Sequence, residues 1–220
     1  MMRIKIIWIL FAWSINVCPV WADSALLDEK GCGDCHSFSS DAKQVTHGPD
    51  LFYAGDKFYK GWLKGFLESP VMLRKAGYIT DPGFLSSKPG TGRLHPSLTQ
   101  EESARVAAYL MTLRLPELET GKVDEEPLSK GTRARIKMLF ERQYGCIACH
   151  ETLNLAGQVR GGVSGPSLVD AGLRLKPDWI FYWLKTPKKF LSKGRMPLFE
   201  LDEETVVLMT KYILSIRAQR

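Results

Sequence analysis

Four of the five cysteines in this 220-residue chain fall into two matching strings, CGDCH at residues 32–36 and CIACH at residues 146–150. Each string sets two thiols three residues apart and places an imidazole directly behind the second. A cysteine pair alone could form a disulfide, a redox dithiol or half of a zinc site. A dithiol has no need of a following histidine, and a zinc site would require a second ligand pair that neither half contains. The C-x-x-C-H order suits haem instead. Two thioether bonds fix the porphyrin, and the adjacent imidazole becomes a ligand to the iron. Cys32, Cys35 and His36, and again Cys146, Cys149 and His150, therefore predict two covalently attached haem c groups.

The chain reads as a repeat. Gly48-Pro49 with Leu51 matches Gly165-Pro166 with Leu168, and Trp62 and Trp179 each follow their glycine by fourteen residues. Ser69-Pro70 and Thr186-Pro187 each begin twenty-one residues after that glycine, and Thr99 and Asp202 each precede a tyrosine (Tyr109 or Tyr212) by ten. One architecture of about a hundred residues used twice explains this agreement. The proline-containing, acidic stretch from Leu115 to Gly131 reads as the connection. The resulting division is a leader at 1–22, a first domain at 23–116, a linker at 117–128 and a second domain at 129–220.

Helices must position these groups. Ile136, Leu139, Phe140 and Tyr144 recur at helical spacing just before the second cysteine pair. Thr99 with Glu102 three residues on forms a capping box, followed by the apolar face Val106, Tyr109, Leu110 and Leu113. Asp202 begins the matching helix, with Val206, Met209, Ile213 and Ile216 facing inward. Trp62, Leu63 and Phe66, and Trp179, Trp183 and Leu184, mark a middle helix in each half. No stretch carries the sustained alternation of a strand, so the expected fold is all-α.

This order of helix, CxxCH, GP-L turn, Trp-bearing helix, R-M-P loop and final helix with a tyrosine resembles the class I c-type cytochromes, as two tandem domains. The resemblance implies that the carbonyls of Pro49 and Pro166 orient His36 and His150. It also implies that Met196, between Arg195 and Pro197 on the loop before the last helix, is the sixth ligand of the second haem. The first half departs from the pattern. It reads GRLHPSL at 92–98 where the second reads GRMPLF at 194–199, so aligning the prolines puts His95 in the place of Met196. Met72, in the extra stretch between Pro70 and Arg93, His47, next to the Gly-Pro turn, and a five-coordinate iron are the rivals to His95. Thioether ligation raises a haem potential, whereas a second imidazole lowers it. A His36/His95 haem beside a His150/Met196 haem would send electrons from the first domain to the second.

Charge is uneven. Residues 23–128 hold 12 Lys/Arg against 16 Asp/Glu, a net of −4, while residues 129–220 hold 16 against 8, a net of +8. Lys188, Lys189 and Lys193 cluster ahead of Met196, which predicts an acidic protein redox partner docking there and makes nucleic acid a poor candidate. Arg3 and Lys5, the apolar run Ile6 to Val17 and the VWA exit compose an export signal cut after Ala22, placing the protein in the periplasm or an equivalent compartment. Left uncut, the same run would be a membrane anchor. The expected function is single-electron transfer. The competing readings are a haem subunit of a membrane oxidase or dehydrogenase, a dihaem peroxidase and a thiosulfate dehydrogenase. For the last two, every expected iron already has a sixth ligand, and the one spare cysteine, Cys18, lies in the leader.

Overall fold

The computed structural model describes residues 21–41, 48–77, 95–124 and 126–218. Four helices build the N-terminal half: α1 (Trp21–Glu29), α2 (Ala54–Lys57), α3 (Lys60–Glu68) and α4 (Gln100–Leu110). The C-terminal half repeats the order with α5 (Lys130–Met138), α6 (Ala171–Arg174), α7 (Pro177–Lys185), α8 (Pro187–Phe190) and α9 (Glu203–Leu214). A two-stranded hairpin, β1 (Thr152–Leu153) with β2 (Val159–Arg160), is the one departure from helix among the described residues. It fills the three extra residues that separate His150 from its Gly-Pro turn, compared with His36.

The helix starts are written in the sequence. Thr99 accepts from the Glu102 amide while the Glu102 carboxylate accepts from the Thr99 amide, a complete capping box. Lys30, the main cause, and the Thr99 amide hold that carboxyl down to about 2. Asp202 caps α9 through the Thr205 amide at 2.7 Å, and Ser129 caps α5 through Thr132 at 3.1 Å. Pro177 opens α7 at the position where a missing N–H costs nothing. The apolar faces pack as their spacing predicts: α1 and α3 rest on α4, α5 and α7 rest on α9, and Leu63, Leu67, Val106, Leu110, Ile136, Val206, Met209 and Ile213 are buried. Tyr109 and Leu113 remain half-buried, whereas Tyr212 is buried and packs against Phe140 at 5.4 Å. Before Cys146 the helix widens into a π turn over Leu139–Gln143, which the periodicity alone does not show.

Two glycines let the start of each middle segment meet the end of the final helix. Gly55 donates to the Leu113 carbonyl at 2.8 Å and Gly172 to Ile216 at 3.0 Å. A Cβ would lie 2.4 Å from the Met111 oxygen at the first site and 1.8 Å from the Leu214 oxygen at the second.

The halves share one continuous core, and they meet at equivalent positions. Phe58 and Leu175, 117 residues apart like the two Gly-Pro turns, form an antiparallel bridge. Tyr59 donates to Arg174 at 3.1 Å and Lys176 donates to Lys57 at 2.9 Å, the same bond made in both directions. The side chains follow suit: the Lys57 ammonium lies 5.3 Å over Trp179 and the Arg174 guanidinium 5.7 Å over Trp62. Tyr53 stacks on Trp179 at 4.5 Å. The acidic connection is pinned, not free. Asp178 on α7 accepts from the amides of Gly121, Lys122 and Val123, and Val123 is buried.

Candidate functional site

Both CxxCH strings form the same local structure. A glycine in the left-handed region, Gly31 (φ 63°) or Gly145 (φ 61°), admits a single 3-10 turn over Cys32–Asp34 or Cys146–Ala148. The histidine amide then closes on the first cysteine, His36 to Cys32 and His150 to Cys146, both at 3.0 Å. Each Gly-Pro turn wraps the ring that follows. His36 Nδ1 donates to the Pro49 carbonyl at 2.7 Å, and His150 Nδ1 donates to Pro166 at 2.8 Å. A Cβ on Gly48 would lie 2.7 Å from His36 Cε1, and one on Gly165 would lie 2.6 Å from His150 Cε1, so glycine is what lets the turn close on the imidazole. With Nδ1 protonated and bound, Nε2 presents its lone pair, the arrangement that makes imidazole a good metal ligand. Burial is the main cause that holds both rings below the ordinary histidine pKa; the proline carbonyls oppose it. Burial also pushes the Cys146 thiol up to about 11, which suits neither a reactive thiolate nor a redox dithiol.

His95 stands opposite His36. The ring centroids are 6.1 Å apart, with planes inclined by 45°. Two imidazoles sharing one metal through nitrogens at ~2.0–2.1 Å would stand ~6.2 Å apart centre to centre, so the pair fits a single iron between them. His95 Nδ1 donates to the Pro96 carbonyl at 2.9 Å, so here too Nε2 is the nitrogen that presents its lone pair. The ring is backed by Phe66 on α3 at 5.3 Å. Met72 is half-buried, and Leu73 beside it is fastened to the C-terminal half, its carbonyl accepting from Ser167 at 2.7 Å. His47 and the residues Gly92, Arg93 and Leu94 lie outside the described residues.

In the C-terminal half, Cys146, Cys149, His150 and Met196 line one cavity of about 350 Å³. Its walls are mainly apolar, with Tyr144, Trp183 and Phe199 among them, and Arg74, Lys188 and Arg195 supply positive charge. Among the described residues, no carboxylate lines it. An apolar slot flanked by thiols, an imidazole and a thioether, with cations at its border, fits a flat apolar ring that bears carboxylates. The Met196 sulfur accepts from Trp183 Nε1 at 2.9 Å, and Trp183 occupies the α7 position equivalent to Phe66 on α3. Among the described residues, no three His, Cys, Asp or Glu side chains gather as a cage for a bare metal ion.

Several contributors were not visible as site residues in the sequence. Gly161 and Gly162 press the loop after the hairpin onto the CIACH turn, where a Cβ would sit 2.3 Å from the His150 oxygen and 1.9 Å from the Ala148 oxygen. The run GGVSGP was the available signal. The lysine cluster is exposed but partly committed. Lys188 donates to the Gly194 carbonyl at 2.5 Å, Lys189 pairs with Glu117 at 3.3 Å, and Lys185 pairs with Glu203 at 3.1 Å.

Residues 24–114 match the profile of the Cytochrome c family. A curated relative, the menaquinol:cytochrome c reductase cytochrome c subunit of Bacillus subtilis (strain 168), is 35% identical over 105 residues, which cover 46% of this chain. The chain spans only about a third of that relative's length, 35%. No solved structure matches. The segment that matches the Cytochrome c family model, residues 24–114, is the one that carries the first CxxCH turn and its proline-bound imidazole.

Proposed function

We propose that the chain is a dihaem c-type cytochrome that moves single electrons, with His36 and His95 holding the first iron and His150 and Met196 the second. A bound haem supplies an iron that gains and loses one electron without a proton or an atom changing hands. The protein's residues supply the rest. Cys32, Cys35, Cys146 and Cys149 hold the ring, Pro49 and Pro166 fix the tautomer of the proximal imidazoles, and Trp183 orients the Met196 thioether. The observation that carries the reading is the 6.1 Å facing of His36 and His95, which gives the first half a second imidazole where the other half has a sulfur. Stronger donation to the first iron would set the lower potential there and give electrons a direction toward the C-terminal half.

The Bacillus subtilis relative, named as the cytochrome c subunit of a menaquinol:cytochrome c reductase, favours a second reading in which this chain works inside a membrane complex. Among the described residues no helix is long and apolar enough to cross a membrane. Residues 1–22 would either target the chain for export with cleavage after Ala22 or anchor it. An acidic protein acceptor would dock near Lys193, Lys188 and Lys189; Glu117 lessens the charge that Lys189 offers.

The test is direct. The purified protein should carry the mass of two haems, on Cys32/Cys35 and Cys146/Cys149. His95→Ala should then open the first iron to cyanide, whereas Met72→Ala should not. One haem, or cyanide binding after Met72→Ala but not after His95→Ala, would overturn the assignment.

A further inference from the structure

Among the described residues, the C-terminal cavity is lined by one residue from the other half of the molecule, Arg74. Arg74 lies in the stretch between Pro70 and Arg93, which is fifteen residues longer than its counterpart between Pro187 and Arg195. Its described part, residues 71–77, forms a strap, and four consecutive residues of that part are fastened to the C-terminal half. The Leu73 carbonyl accepts from Ser167 at 2.7 Å, Arg74 Nη1 donates to the Ser164 carbonyl at 2.8 Å, Lys75 pairs with Glu151 at 2.5 Å, and the Ala76 amide donates to Val163 at 3.4 Å. Those partners surround the Gly165-Pro166 turn, so the guanidinium is delivered to the His150 side of the cavity. Lys188 and Arg195, the other cations at the cavity, are exposed and sit beside Met196.

We propose that Arg74 is the anion-holding residue of this cavity: its guanidinium pairs with a carboxylate of the haem bound at Cys146, Cys149 and His150. The proposal rests on the two-haem reading above. Three observations carry it. Among the described residues no acidic side chain lines the cavity, so a carboxylate brought in by the ligand meets the charges of Arg74, Lys188 and Arg195 there. Arg74 is half-buried against an apolar wall, where an ion pair is weakly screened. A guanidinium offers a rigid fork that matches a carboxylate with two parallel hydrogen bonds, which an ammonium does not. The N-terminal half thus becomes part of the second haem site.

A fixed positive charge beside a haem favours the state with the extra electron, so its removal should lower the potential. In a redox titration of the full two-haem protein, Arg74→Gln should shift the C-terminal haem's equilibrium toward ferric by about tenfold, or ~59 mV for one electron. Arg74→Lys, which keeps the charge and loses the fork, should shift it by less than half as much. Lys75→Gln, which loosens the same strap without touching the cavity, should leave it in place. The proposal fails if Arg74→Gln moves the equilibrium less than twofold, or if Lys75→Gln moves it equally, because the strap would then act only as glue. A wild-type protein with haem on Cys32 and Cys35 alone would instead sink the two-haem reading.

Discussion

The residue proposed to face each Gly-Pro-bound imidazole is braced differently in the two halves. In the N-terminal half His95 leans on the ring of Phe66; in the C-terminal half the Met196 sulfur accepts the indole proton of Trp183. Phe66 and Trp183 occupy the same position on α3 and α7. An imidazole binds its own Pro96 carbonyl and needs from its neighbour only a surface to rest on. A thioether has no proton to give and three flexible bonds to restrain, so it gains from a donor. The brace has therefore changed with the group it supports, while the proximal side, with its Gly-Pro turn and 3-10 turn, has stayed the same.

The largest way to strain the comparison is to remove the glycines beneath the two middle segments. Gly172→Ala should destabilise the protein by ~3–5 kcal/mol, because the new Cβ would meet backbone oxygen at 1.8 Å, and Gly55→Ala should cost less, because its clash is at 2.4 Å. Thermal unfolding of the two variants checks the ranking, and equal midpoints would contradict it.

Next comes the seam, where Lys57 and Arg174 are counterparts. Burial, with Arg174 and Arg74 adding and Asp50 opposing, pushes the Lys57 ammonium from its ordinary 10.5 down to about 7. Between those values the unfolded chain holds a proton that the folded chain has released, so raising the pH through this window should stabilise the fold. Below about 7 both states are protonated and this contribution is flat. The slope can reach at most ~1.4 kcal/mol per pH unit. In denaturant titrations Lys57→Met should remove it. Arg174→Met should only narrow the window, because the guanidinium does not itself titrate there but helps hold the Lys57 pKa down.

The smallest effect belongs to the braces. Trp183→Phe should weaken the hold on Met196 by about 1 kcal/mol, the net worth of one hydrogen bond, read as roughly fivefold easier displacement of the sulfur by added imidazole. Phe66→Trp should leave His95 as firmly held as before.

Much of this was legible in the sequence because the signals are local. The CxxCH strings, the Gly-Pro turns, the caps at Thr99 and Asp202 and the inward faces of α4 and α9 are patterns read within a dozen residues. What stayed hidden depends on contacts outside such a window, from Lys185 with Glu203 to Lys57 over Trp179. Nothing near Arg74 says that it will reach Ser164, and Lys57 carries no mark of its place over Trp179. The lysine cluster looked uniformly basic because Glu117 and Glu203, which temper it, come from the connection and from α9. The offset in the distal loops was also easy to miss. His95 lies four residues before its cap and Met196 six before, so aligning the prolines and aligning the caps give registers two residues apart.

The seam at Phe58 and Leu175 has a consequence for the direction of charge flow. A contact made by equivalent positions is the kind that joins two identical subunits around a two-fold axis. Identical subunits, however, must carry the same side chain at corresponding sites, and an electron shared between equal sites has no downhill side. Here both copies lie on one chain, tethered by a pinned connection that keeps each at high effective concentration for the other. The packing can stay symmetric while position 95 holds an imidazole and position 196 a thioether. On the proposed ligand set, covalent fusion is what would allow a symmetric pair to become a rectifier.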